Sequence, residues 1–193
     1  MHRSETLTSL LRIPAITRTH LLIAGGTIGV ALLTALAANL RVPIPFSPVP
    51  VTMQTMVVLL GAATLGGTAG PLSQLLFIGL GTAGVTAFAG GALSGVTGGY
   101  LIGFVLAARI VGVVSDRYRN PLHVGLAMAA GSALLLLLGA VWLHLGLGLS
   151  TGEALTAGVL PFLPGDALKA VAAFAIWRAG IGGWRRITGD ATK

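Results

Sequence analysis

Six apolar stretches follow one another along the chain; the segments between them hold most of the prolines, and those segments and the two tails hold nearly all of the charge. The first, about Leu21 to Leu40, is uncharged and long enough to cross a bilayer as a helix. The second and third, about Val51 to Leu65 and Pro71 to Val85, fall short of the usual ~20 residues. They either cross a locally thinned region or form a hairpin that dips in and returns. The fourth runs from about Gly99 to Ser115, with Arg109 towards its far end. The fifth runs from Leu122 to Leu147, and the sixth from Pro164-Gly165-Asp166 to about Arg178. Between the first two lies Arg41 to Pro50, where Pro43, Pro45, Pro48 and Pro50 preclude a regular helix and predict a stiff, extended connection. Gly84 to Gly98 is glycine-rich yet uncharged, which suits a cover folded against the protein better than a solvated loop. Leu149 to Leu160 reads as a connection carrying Glu153.

Composition turns this pattern into a membrane protein. Hydrophobic residues make up 54% and charged residues 9% of the 193 positions, with mean hydropathy +0.91. A soluble domain is ~25% charged. The 29 glycines suit close helix packing in lipid, and the length allows one helical bundle. We expect an all-α membrane protein of six transmembrane helices: a segment 1–20, a membrane-embedded domain 21–184 and a basic tail 185–193. The chain lacks cysteine, so it has neither disulfides nor thiolate metal sites.

The formal net charge of +7 does not point to nucleic acid, because the basic residues flank apolar spans and form no stripe interleaved with aromatics. Arg3, Arg12 and Arg18 precede the first span, Arg117 and Arg119 lie between the fourth and fifth, and Arg178, Arg185 and Arg186 follow the sixth. The alternate loops hold Arg41 alone, so the positive-inside rule puts both termini in the cytoplasm. On that topology the proline loop, the glycine loop and the start of the sixth span share the extracytoplasmic side.

Candidate chemistry gathers there. Asp166 and Lys169, three residues apart, share a helical face at the mouth of an apolar run. A charge facing lipid near the bilayer centre costs at least ~2.5–3.5 kcal/mol, which favours a site. A water-facing helix cap is the plain alternative, and the pattern by itself weights the two equally. Gln54 and Tyr100 open their spans from the same side, completing an outward pocket with apolar walls and a few polar anchors. His123 and His144 lie near opposite ends of one span, too far apart to share a metal. No lysine follows the glycine loop in phosphate-loop spacing. Within the first span Thr27, Ala31, Ala35 and Asn39 recur every four residues, admitting a second helix backbone from this bundle or from a partner.

Four segments together resemble the BioY family: Val49-Pro-Val-Thr-Met-Gln-Thr55, Phe88-Ala-Gly-Gly91, Thr97-Gly-Gly-Tyr-Leu-Ile-Gly-Phe104 and Pro164-Gly-Asp-Ala-Leu-Lys169. That family comprises biotin-specific substrate-binding subunits (S components) of energy-coupling factor transporters. The resemblance implies a six-helix subunit in a prokaryotic cell membrane that captures biotin from outside. It implies a transmembrane coupling subunit and a pair of ATPases as partners, with ATP consumed only by them, and no cofactor, metal or enzymatic activity in this chain. It assigns Gln54, Tyr100, Asp166 and Lys169 to biotin, with Phe46, Phe88 and Leu168 as weaker wall candidates. It also assigns Ala31 and Ala35 to the coupling-subunit contact. The same fold could serve another small vitamin, and an intramembrane enzyme using Asp166 and a histidine is the remaining reading.

Overall fold

In the computed structural model, residues 15–86, 94–118 and 120–188 are described. Helix α1 spans Ala15–Asn39 and is followed by two short strands, β1 (Arg41–Ile44) and β2 (Ser47–Thr52). Then come α2 (Gln54–Thr82), α3 (Gly98–Arg117), α4 (Pro121–Leu147), the short α5 (Thr151–Gly158) and α6 (Leu163–Thr188). Among the described residues, four helices are long and apolar enough to cross a membrane, or five spans if the bent pair α5–α6 counts as one. The chain is therefore a multi-pass helical membrane protein. Leu32, Leu36, Leu126 and Val171 are among the large apolar side chains that face outwards, as lipid-facing residues do.

The second and third apolar stretches are one continuous element broken at Gly66, whose φ of 85° is open to glycine at no steric cost. A methyl group added at Gly70 would come 3.0 Å from the Cα of Ala62. Eight residues of straight helix would separate those positions by ~12 Å, so the two legs of α2 fold back against each other. The short stretches thus form a helical hairpin. Its tip is held from α3: the Gly67 N–H donates to Asp116 Oδ2 (2.7 Å), and Arg109 Nη1 donates to the Gly67 carbonyl. A carboxylate at the start of the second leg meets the unpaired N–H groups and the positive end of the helix dipole.

The proline segment is extended, as expected, and it is more than a connection. It is an antiparallel hairpin with Arg41 opposite Thr52 and Val42 opposite Val51, and its register is irregular around Pro43. A two-stranded ribbon tolerates prolines because each strand has a free edge. Ser47 anchors it, donating from Oγ to the carbonyl of Ala157 at 2.6 Å.

Two expectations are corrected here. Leu149–Leu160 is no plain connection but contains α5, whose start is a full capping box between Ser150 and Glu153. The sixth helix also continues past Arg178 to Thr188.

Candidate functional site

Asp166 sits in the first turn of α6 with its backbone N–H bonded to the Phe162 carbonyl (2.8 Å). Pro164 in that turn has no N–H to leave unpaired and a φ suited to a helix start. One turn further, Lys169 Nζ donates to Asp166 Oδ1 at 2.7 Å. The two side chains are only 4% and 9% exposed. This removes the helix-cap alternative, which needed water around the pair. Lys169 has three N–H donors and an ionised Asp166 about four acceptor positions, so one bond between them leaves most of that capacity for the space they face.

That space is a cavity lined by Asp166, Lys169, Gln54, Thr97, Tyr100 and Phe162, roofed by Val49 and Pro50 of β2 and floored by Phe104 and Leu135. It measures ≈ 40 Å³ open to the centre of a water-sized sphere, room for roughly three waters. A larger apolar groove of ≈ 380 Å³ lies between α4 and α6, and Asp166 borders both. The inner cavity is where the polar groups converge.

Each anchor is held by the fold. Gln54 begins α2 directly after the ribbon. Its Nε2 donates to the Thr34 carbonyl of α1 (3.3 Å), and its Oε1 accepts from the Thr52 hydroxyl (3.3 Å). The Tyr100 hydroxyl donates to the carbonyl of Gly158 at the end of α5 (2.6 Å), while its ring leans on Phe162 with centroids 6.2 Å apart. That ring also lies on Gly139 of α4, where any Cβ would fall 2.1 Å from Tyr100 Cζ. The hydroxyl is thus committed to the protein, and Tyr100 offers the cavity its ring.

The four residues expected from the sequence thus line one cavity, together with a fifth, Thr97, that the sequence reading did not single out. Thr97 is buried, lines the cavity and has a hydroxyl without a partner among the described residues. Its place three residues before Tyr100 was the available signal.

The weaker wall candidates fare differently. Phe46 is 68% exposed at the ribbon tip and Leu168 is 71% exposed on the outer side of α6, so neither lines the cavity. Phe88 lies outside the described residues. Ala31 and Ala35 are also corrected, because both are buried in this chain's own core, where an outside partner cannot reach them. Gln74, in the second leg of α2, is fully buried, bonding Thr34 Oγ1 (3.4 Å) and Ser73 Oγ (3.0 Å) through Nε2.

His123 stacks on Tyr118, and His144 contacts the Leu149 carbonyl, both away from the cavity. Among the described residues no group of three or more acidic or histidine side chains could hold a metal.

A polytopic helical protein with a small polar chamber under a β-ribbon, walled by four of its helices, is the class this architecture defines: a membrane-embedded binding protein. The family model for the BioY family matches residues 11–186, and the chain belongs to that family. Its relatives include the "Probable biotin transporter BioY" of Pyrococcus horikoshii, 35% identical over 153 residues, 76% of this chain and 90% of that one. The "Biotin transporter BioY" of Rhodobacter capsulatus is 35% identical over 159 residues, 73% of this chain and 83% of the other. Among solved structures, the S-component for biotin from an ECF-type ABC transporter superposes with a TM-score of 0.75 over 83% of this chain and 90% of its own, at 23% identity. That likeness is one of fold.

Proposed function

We propose that this chain captures biotin from the extracytoplasmic side and serves as the substrate-binding subunit of an energy-coupling factor transporter. The observation that carries this reading is the buried Asp166–Lys169 pair aimed into a chamber shared with Gln54, Thr97 and Tyr100. Biotin's ureido ring presents two N–H donors and one carbonyl on an apolar bicycle. Asp166 accepts from a ureido N–H and Lys169 donates to the ureido oxygen, both as charge-assisted bonds. The Tyr100 ring covers the bicycle, and Gln54 and Thr97 take the remaining polar edge. Relatives named as biotin transporters support the ligand, and their naming as transporters argues against the intramembrane enzyme.

Orientation follows from charge. Arg18, Arg117 and Arg178 belong to the end of the bundle that holds the tip of α2, and the chamber lies at the other end. The positive-inside rule then puts both termini in the cytoplasm and the chamber outside, in a prokaryotic cell membrane, with the two legs of the α2 hairpin counted as two of six crossings. Energy would come from a transmembrane coupling subunit and two ATPases. Equilibrium binding of labelled biotin to the purified chain in detergent tests the ligand. We expect saturable binding and thermal stabilisation by biotin but not by thiamine or riboflavin. Stabilisation by another vitamin, with none by biotin, would move the chain to a different specificity.

A further inference from the structure

The break at Gly66 frees the carbonyl of Ala63. In a continuous helix that carbonyl would accept from the N–H of Gly67, which here donates to Asp116. Two other helices take it up instead. Ser115 of α3 donates from Oγ at 2.7 Å, and Trp177 of α6 donates from its indole nitrogen at 2.9 Å. All three residues are at least nine-tenths buried. One oxygen thus ties α2, α3 and α6 together, and these are the helices that present Gln54, Tyr100 and the Asp166–Lys169 pair. Along each helix the tie lies ~12–23 Å from those residues at 1.5 Å per residue. The ribbon, α5 and the chamber are all at the opposite end.

We infer that Ser115 and Trp177 are positioning residues for the chamber. They set the spacing of the three helices at their cytoplasmic ends, and thereby the distance from Asp166 and Lys169 to Gln54 and Tyr100 at the other. Packed helices transmit such displacements because they are rigid along their length and have little free volume between them. The unequal partners fit this role. Ser115 fixes the depth of α3 against the hairpin, and the long indole of Trp177 sets the separation of α6.

The inference rests on the biotin reading, and the experiment keeps the two apart. Biotin affinity and thermal midpoint are measured in detergent for the unsubstituted chain, Ser115→Ala, Ser115→Thr and Trp177→Phe. Affinity should fall roughly two- to thirtyfold in Ser115→Ala and Trp177→Phe, the size of coupling carried between packed sites. Ser115→Thr, which keeps the hydroxyl, should bind as the unsubstituted chain does.

A cycle with Lys169→Met supplies the readout that a merely structural bond would not move. The affinity loss from Trp177→Phe should largely vanish when Lys169 is already gone, while the two thermal shifts add. Ser115→Ala deletes a single oxygen and carries the test if the tryptophan variant does not fold. Lower thermal midpoints with unchanged biotin affinity would overturn the positioning role and leave the biotin reading standing. An unsubstituted chain that is folded but binds no biotin would overturn both.

Discussion

Lys169→Met is the sharpest perturbation this geometry offers, because the lysine has two tasks that respond differently to a second change. Asp166 is almost wholly buried and its charge is balanced by one ammonium at 2.7 Å. Removing that ammonium leaves an uncompensated buried carboxylate, a loss of about 3–5 kcal/mol of stability. Asp166→Leu combined with Lys169→Met removes both charges. By the same physics that chain should recover to about the original stability, or exceed it by up to ~4 kcal/mol. Biotin binding should not recover. Two charge-assisted bonds at ~1.5–3 kcal/mol each amount to ~3–6 kcal/mol, roughly 10²- to 10⁴-fold in Kd.

The assay pairs denaturant unfolding in detergent, followed by tryptophan fluorescence, with equilibrium binding of labelled biotin. A double variant that binds within about threefold of the original would refute the ligand role of the pair. A single variant as stable as the double one would refute the burial argument.

Thr97→Val removes a hydroxyl that has no partner among the described residues, so stability should hold while biotin affinity drops roughly two- to tenfold, as titration will show. Tyr100→Phe should do nearly the reverse. It costs about 1 kcal/mol in unfolding measurements by orphaning the Gly158 carbonyl, and it leaves affinity within about threefold because the ring remains. Gly139→Ala drives a methyl into that ring, and calorimetry should show a loss of about 1–3 kcal/mol together with weaker biotin binding. Phe46→Ala and Leu168→Ala remove exposed side chains, and both should bind biotin as the original does in the same titration.

How far the sequence could be read depended on which physical signal each element leaves. Crossing helices leave runs of apolar residues, and α1, α3 and α4 were plain in them. The fold-back of α2 depends on one backbone angle at Gly66, in a chain so rich in glycine that no single one stands out. The start of α5 was legible in Ser150-Thr-Gly-Glu153, and was passed over because the segment is short and sits between two spans.

Within the site, Asp166 and Lys169 were found by the rarity of charge in such a chain. Leu168 was misplaced although the helical period argues against it: two residues beyond Asp166 is about 200° around the helix. Ala31 and Ala35 illustrate a deeper limit. A helix apolar on every side has no amphipathic pattern to say which side faces inwards, and only packing reveals that theirs does.

The last turn of α5 has its own consequence. Neighbouring peptide groups there moor two separate structures: Ala157 holds the β-ribbon through Ser47, and Gly158 holds the aromatic ring of Tyr100. A lid and a clamp fastened to adjacent rungs cannot slacken independently. With space for only a few solvent molecules behind them, a guest of biotin's bulk cannot slip past a shut lid. On the proposed function, biotin's entry and exit then require the same release, and both are expected to be slow compared with free diffusion.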